Sequence, residues 1–263
     1  MKKTLLIALL TLFSVACFGQ NGGPLKFLGI PIDGTESQFV SQLKSKGFNY
    51  NSLSESYKGQ FNGDNVDVLI HTNHNLVDRV YVAFPYKSEE GIRVEYNRLL
   101  RQFKDNDKYL DLVMNEEIPA KDDISYEITI NKKRYQASFC YFNPDRDQIE
   151  FMDALLCKVS DFFTPEQMAV LREYAMKTMN ASEDERETLQ AEMMGEMQRM
   201  GLGQDGDSEP DSLQALLFLT SFLDGMRSLA DGEVWFMIHE AYGRYNIGLY
   251  YDNLHNQAHG EDL

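Results

Sequence analysis

Apolar and polar positions recur along this chain with two periods, and the changes between them divide it into segments. Near the start, Phe39 and Leu43 lie four residues apart with Val40 beside them, the spacing of one buried helix stripe. Thr35 and Gln38 form a capping box ahead of that stripe, which predicts a helix beginning at Glu36. Gly47 stands where a left-handed residue ends the last turn, and Phe48 can fold back onto Leu43. A helix of about eleven residues is too short to stand alone, so its stripe needs a sheet to lie on. The period then becomes two, and strands are expected over 57–61, 66–71 and 76–84. Val66, Val68 and Ile70 alternate with Asp67 and His71, and Val80, Val82 and Phe84 alternate with Arg79 and Tyr81. Residues 62–64 (NGD) and 72–75 (TNHN) tolerate left-handed backbone and read as the turns between them.

The pattern restarts at Ser88, which caps a helix running to about Phe103 with Ile92, Tyr96, Leu99, Leu100 and Phe103 on one face. The other face carries a small basic stripe of Arg93, Arg98, Arg101 and Lys104. Tyr126, Ile128 and Ile130 alternate with Glu127 and Thr129, which predicts a hairpin of 126–130 with 135–142 around NKKR. From residue 143 the spacing is helical only, over 147–158, 165–179, 183–200 and 212–230. Thr164 with Gln167 and Ser182 with Glu185 are two more capping boxes, and residues 201–211 form a polar linker. Strands return with Val234, Phe236 and Ile238 in one run and Tyr245, Ile247, Leu249 and Tyr251 in the next, joined by AYGR. These segments describe an α+β fold. Two helix-then-antiparallel-strand units form a sheet that packs on two helices, and an all-helical insertion interrupts it. The expected boundaries are a signal peptide at 1–19, a helix-and-strand domain at 20–142 completed by 233–263, and the helical insertion at 143–232.

The first residues change the compartment. Lys2 and Lys3, an apolar run from Leu5 to Val15 and small residues at Cys17 and Gly19 make a secretory signal with cleavage after Gly19. A rival cut at Cys17 would leave a lipoprotein anchored through that cysteine, although Ser14 stands where such signals carry an aliphatic residue. Export to the periplasm or the extracellular space is the first expectation and an outer-membrane lipoprotein the second. No later run reaches the ~18 apolar residues of a membrane span. Loss of residues 1–19 removes two lysines and no acid, taking the net charge from −16 to −18. Such an acidic chain disfavours nucleic acid and favours a protein or envelope partner with a basic patch. Cys140 and Cys157 remain after export; they could pair or simply pack.

Several clusters invite a chemical reading. Met193, Met194, Met197 and Met200 resemble soft copper(I) ligands, although Leu189, Met193, Met197 and Met200 equally make an apolar helix stripe. His255 and His259 near Glu261, and His71 with His74, could each hold a metal by two nitrogens, too few for a specific site. Asp205, Asp207, Glu209 and Asp211 alternate like calcium ligands, but Pro210 and Leu216 stand where the helix-loop-helix calcium pattern needs glycine and glutamate. His239 and Glu240 begin a zinc-protease string that Gly243 breaks. There is no Gly-x-Ser-x-Gly, phosphate loop or Cys-x-x-Cys, and no cofactor is expected. Trp235, Tyr245, Tyr250 and Tyr251, with Tyr135 and Tyr141, offer an aromatic binding face.

The opening FLGIPIDGTESQFVSQLKSKGF and the close YNIGLYYDNLHNQAHGEDL resemble the two ends of a family of uncharacterised secreted proteins from the Bacteroides group. More distantly, the first motif and its strands resemble the helix-and-strand repeats of β-lactamase-inhibitory proteins and small outer-membrane assembly lipoproteins. These likenesses imply a helix-on-sheet fold and carry no catalytic residue onto this chain; the helical stretch departs from both. Asp211, Ser212 and Leu213 match the O-glycosylation acceptor of that bacterial group. The expectation is an exported, non-catalytic binding or protein-interaction module. A periplasmic metal-binding protein, or a hydrolase with an unrecognised site, is the alternative.

Overall fold

Both periods become real elements in the computed structural model, which describes residues 23–179, 181–200 and 212–257. The described residues fall into two compact units, one from 23–143 with 230–257 and the other from 144–229. The first unit begins with a small hairpin of β1 (Lys26–Phe27) and β2 (Ile30–Pro31), then α1 (Glu36–Ser45), β3 (Asn49–Asn51), β4 (Ser56–Phe61), β5 (Asp64–Asn73) and β6 (Leu76–Ala83). It continues with α2 (Glu89–Lys104), β7 (Tyr109–Leu110), α3 (Ile124–Thr129) and β8 (Gln136–Tyr141). The chain returns to it as β9 (Gly232–Ala241) and β10 (Arg244–Asn253). Apart from β1 and β2, these strands form one eight-stranded sheet in the order β3-β4-β5-β6-β10-β9-β8-β7, antiparallel throughout.

Local signals set the ends of these elements. Thr35 N–H donates to Gln38 Oε1 at 3.1 Å, closing the capping box of α1. At its other end Phe48 N–H donates to the Leu43 carbonyl and Gly47 N–H to that of Lys44, with Gly47 at φ 92°, a Schellman ending. Four two-residue turns, Leu28-Gly29, Asn62-Gly63, His74-Asn75 and Tyr242-Gly243, have positive φ at both positions. That backbone matches the twist of the strands it joins, and it fixes which residues face which side. Val66, Val68, Val80, Val82, Val234, Phe236, Ile247 and Leu249 all turn to one side. There they meet Phe39 and Leu43 of α1 and Ile92, Tyr96, Leu99 and Phe103 of α2 in a single core.

One expected hairpin is not formed. Residues 126–129 belong to α3, with Ile130 at its C-terminal cap, and not to a strand, because Asp123 caps that helix by accepting from Tyr126 N–H at 2.8 Å. Ile124 and Ile128, four apart, face the core, while Tyr126 and Ile130 are exposed. Three alternating apolar residues fit either period over so short a run, and the acidic cap decides it. The strand β8 therefore pairs with β9 and the short β7 instead.

The second unit contains α4 (Gln148–Lys158), a 3-10 turn at Ser160–Phe162, α5 (Pro165–Met179), α6 (Glu183–Arg199) and α7 (Ser212–Ser228). Thr164 with Gln167 and Ser182 with Glu185 form the expected capping boxes. Phe151, Leu155, Leu171, Met193, Met197, Phe218 and Met226 are buried in it. No helix among the described residues is long and apolar enough to cross a membrane. The signal segment at 1–19, Cys17, the linker acids and Asp211 lie outside the described residues.

The basic stripe on α2 is not an open cationic surface. Arg93 donates to the Asp122 carbonyl, Arg101 pairs with Glu117 at 3.0 Å, and Lys104 donates to the Asn115 carbonyl. Arg98 pairs with Glu95, which also holds Lys87 at 2.9 Å, and both cations reach Asp64 at 3.5 and 3.3 Å. Glu95 is 4 % exposed, so its charge depends on these partners. Burial draws the Lys87 pKa down, but Glu95 and Asp64 outweigh it and the net shift is upward. Replacing Glu95→Ala leaves two cations facing Asp64 alone. The expected cost is about 3 kcal/mol of unfolding free energy, read from urea melts.

Candidate functional site

The sheet face turned away from α1 and α2 is assembled from residues that alternate with the core set. On β10 these are Asn246, Gly248, Tyr250 and Asp252; on β9, Glu233, Trp235, Met237 and His239; on β6, Arg79 and Tyr81. In register, Tyr250 stands opposite Tyr81 on one side and Trp235 on the other. The three rings make one stack. Trp235 and Tyr250 are parallel within 6° at a centroid distance of 3.8 Å, and Tyr250 and Tyr81 lie 4.7 Å apart. All three are half-buried.

A buried carboxylate holds the stack in place. Asp252, 3 % exposed, accepts from Arg79 Nε at 2.6 Å and Nη2 at 2.9 Å, and from Trp235 Nε1 at 2.9 Å. The Arg79 guanidinium also lies 5.7 Å from the Tyr250 ring centroid and 6.0 Å from that of Trp235, at the limit of a cation–π contact. Tyr250 OH comes within 3.4 Å of His239 Nε2. Burial pushes the Tyr81 hydroxyl up to about 12, with Tyr250 adding to it, and burial pulls the His239 imidazole down. Near neutral pH the stack is therefore a set of neutral rings beside one closed ion pair. Gly248 leaves room for it: a Cβ there would lie 2.8 Å from both His239 Nε2 and Tyr81 Cε2.

The four aromatic residues expected to form one binding face are separated. Trp235 and Tyr250 share the outer stack, whereas Tyr245 and Tyr251 point into the core at 3 % and 5 % exposure, as do Tyr135 and Tyr141. The period-two rule already divides them, since Tyr245 and Tyr251 have the parity of Ile247 and Leu249. Arg79 and Tyr81 were missed because they lie on β6, whose pairing with β10 is not local in sequence, and Asp252 because its role appears only with Arg79 beside it.

The metal candidates do not converge. Met193 and Met197 are buried at 1 % and 0 %, the setting of packing residues. His255 is exposed and pairs with Asp231 at 2.8 Å, His71 pairs with Asp78 at 2.7 Å, and His259 lies outside the described residues. Among the described residues no group of three or more His, Cys, Asp or Glu could hold a metal. Neither histidine–carboxylate pair has a hydroxyl or thiol hydrogen-bonded to its second ring nitrogen there, the third member a nucleophilic site requires. Cys140 is buried on β8 and Cys157 exposed on α4, with no bridge between them.

Two outcomes test this geometry. His239 keeps its neutral form in the fold, so as pH falls below about 6.5 the unfolded chain takes up a proton that the native chain refuses, and stability declines until the lowered native value is passed. His239→Gln should therefore show a shallower fall in Tm between pH 7 and 5 than the wild type. Gly248→Ala should push Tyr81 and His239 aside at a cost of about 1–3 kcal/mol. Because Trp235 is the single tryptophan of the chain, its emission spectrum reports that displacement directly.

Comparison with protein-family models, curated proteins and solved structures returned no match, so the functional reading stands on the geometry of this chain's own residues.

Proposed function

We propose that this chain is an exported, non-catalytic binding module whose contact surface is the outer sheet face around Tyr81, Tyr250 and Trp235. The observation that carries it is the stack itself: three half-buried aromatic rings held by Arg79 and the buried carboxylate of Asp252. Rings locked before binding lose little entropy on contact, and tyrosine, tryptophan and arginine are the residues that anchor protein interfaces. The stack also narrows the class of partner. Trp235 and Tyr250 each cover one face of the other at 3.8 Å and Tyr81 flanks Tyr250 on its other side, so the ring surfaces inside the stack are closed to a base. Ring edges and the neighbouring Leu69, 39 % exposed, suit apolar side chains of a protein. With a net charge of −16, the partner best matched is a protein surface with a basic rim. The export signal at 1–19 supports an envelope location, anchored through Cys17 if the lipoprotein cut is used.

The test is retention of partners from the envelope fraction of the native cell by wild type and by Tyr81→Ala. Removing an anchor ring should weaken capture of the same protein about tenfold or more while the thermal melt shows a folded chain. Association should also slow as salt rises. Equal retention by the two proteins, or turnover of a substrate by the purified chain, would overturn the reading.

A further inference from the structure

On the opposite side of β10 from Trp235, the helix side of the sheet, lies a pocket of about 260 Å3. Its walls are Phe61 from β4, Leu99 and Phe103 from α2, Tyr109 from β7 and Tyr251 from β10. Leu28 lies at its edge, in the turn between β1 and β2, with φ 52°, a conformation a leucine rarely adopts. Asn62 and Gln102 also line it and bond to each other through both amides, at 2.8 and 3.2 Å.

Tyr251 is the unusual member. It is 5 % exposed, it lines this pocket, and among the described residues its hydroxyl has no hydrogen-bond partner. Burial raises its pKa well above the ordinary range, and Tyr109 adds to the shift. Burial also pushes Tyr109 up to about 12. Both hydroxyls are thus neutral donors at physiological pH. The hydroxyl faces the open pocket with no protein acceptor among the described residues, so a molecule that brings an acceptor takes the place of water there. No Asp, Glu, Lys or Arg lines the pocket, so a charged molecule would lose its hydration without gaining a counter-charge. The aromatic walls select a flat apolar body. An apolar cavity of about 150 Å3 suffices for benzene, so this one admits a ring with a short substituent.

We infer that this pocket binds a small uncharged aromatic molecule bearing a carbonyl oxygen, its ring between Phe61 and Phe103 and its oxygen accepting from the Tyr251 hydroxyl. This site is separate from the outer stack and does not rest on it. Acetophenone and ethylbenzene, alike in shape but differing in that acceptor, are the probes, titrated against the full chain by ligand-observed NMR. Acetophenone should bind about fivefold more tightly, the margin of one neutral hydrogen bond. Tyr251→Phe should erase that preference while leaving ethylbenzene unchanged, and Trp235 emission should stay constant throughout. Should Tyr251→Phe melt too low to test, Leu99→Phe, which fills the pocket, should abolish binding of both probes. Absence of binding by both probes, a preference that survives Tyr251→Phe, binding undiminished in Leu99→Phe, or a shift of Trp235 emission with acetophenone would each overturn the assignment.

Discussion

The pairing of β10 with β6 holds the first unit together. Five residue pairs, from Gly248 with Ala83 to Asp252 with Arg79, join the hairpin β9–β10, last of the described strands, to a strand formed near the start of the chain. Without it, β3 to β6 and β7 to β10 are two separate partial sheets, each with a new open edge that could pair with another chain. The loop closed by this pairing is long, so the entropy of closing it must be met by contacts that appear only when the whole sheet is assembled. Bidentate Arg79–Asp252 bonding crosses this same junction on the outer face, while Val80, Val82, Leu249 and Tyr251 bury beneath it. The stack and the central seam are one structure.

That seam also explains how a helical segment can interrupt a sheet. The chain leaves at Tyr141 and returns at Gly232, which are direct register partners on adjacent antiparallel strands. Asp231 N–H donates to the Tyr141 carbonyl at 2.9 Å, and Asn143 N–H to Asp231 Oδ2 at 2.6 Å, so the exit and the return are tied as the two ends of an ordinary turn would be. For the sheet, residues 144–229 take the place of a hairpin loop. Long insertions at such points cost little, because closure entropy grows only with the logarithm of length.

Elements whose cause is local could be read from the residues alone. The capping boxes at Thr35, Thr164 and Ser182, the turns at Asn62-Gly63 and Tyr242-Gly243, and the alternation of Val80, Val82 and Phe84 each depend on neighbours within a few positions. Strand order was not legible, because nothing in β10 states that β6 will be its neighbour. The stretch at 126–130 differs from its expected strand for another reason: five residues are too few for a period to declare itself, and Asp123 outweighs the alternation. Half of the outer site was therefore visible as Trp235 and Tyr250, and the half supplied by β6 appeared only with the sheet assembled. The basic stripe of α2 was legible as a row of charges, while its neutralisation by Asp64, Glu95, Glu117 and backbone carbonyls was not.

Tyr250 and Tyr251 show how much the pleat alone determines. The two residues are chemically identical and covalently adjacent, yet one lies in a half-buried stack and the other is buried against Phe27 at 5.4 Å. Tyr250 is at once close to Arg79, Tyr81 and His239, whereas the Tyr251 hydroxyl has the uncharged pocket beneath the sheet. A one-residue slip of β10 would exchange them, placing Asp252 in the core and Leu249 on the surface, and would forfeit the Arg79–Asp252 pairing together with the burial of Ile247 and Leu249. The ten-pair register with β9, set by the tight Tyr242-Gly243 turn, is what makes that slip prohibitive. Both faces of this strand owe their chemistry to the same two-residue turn at its start.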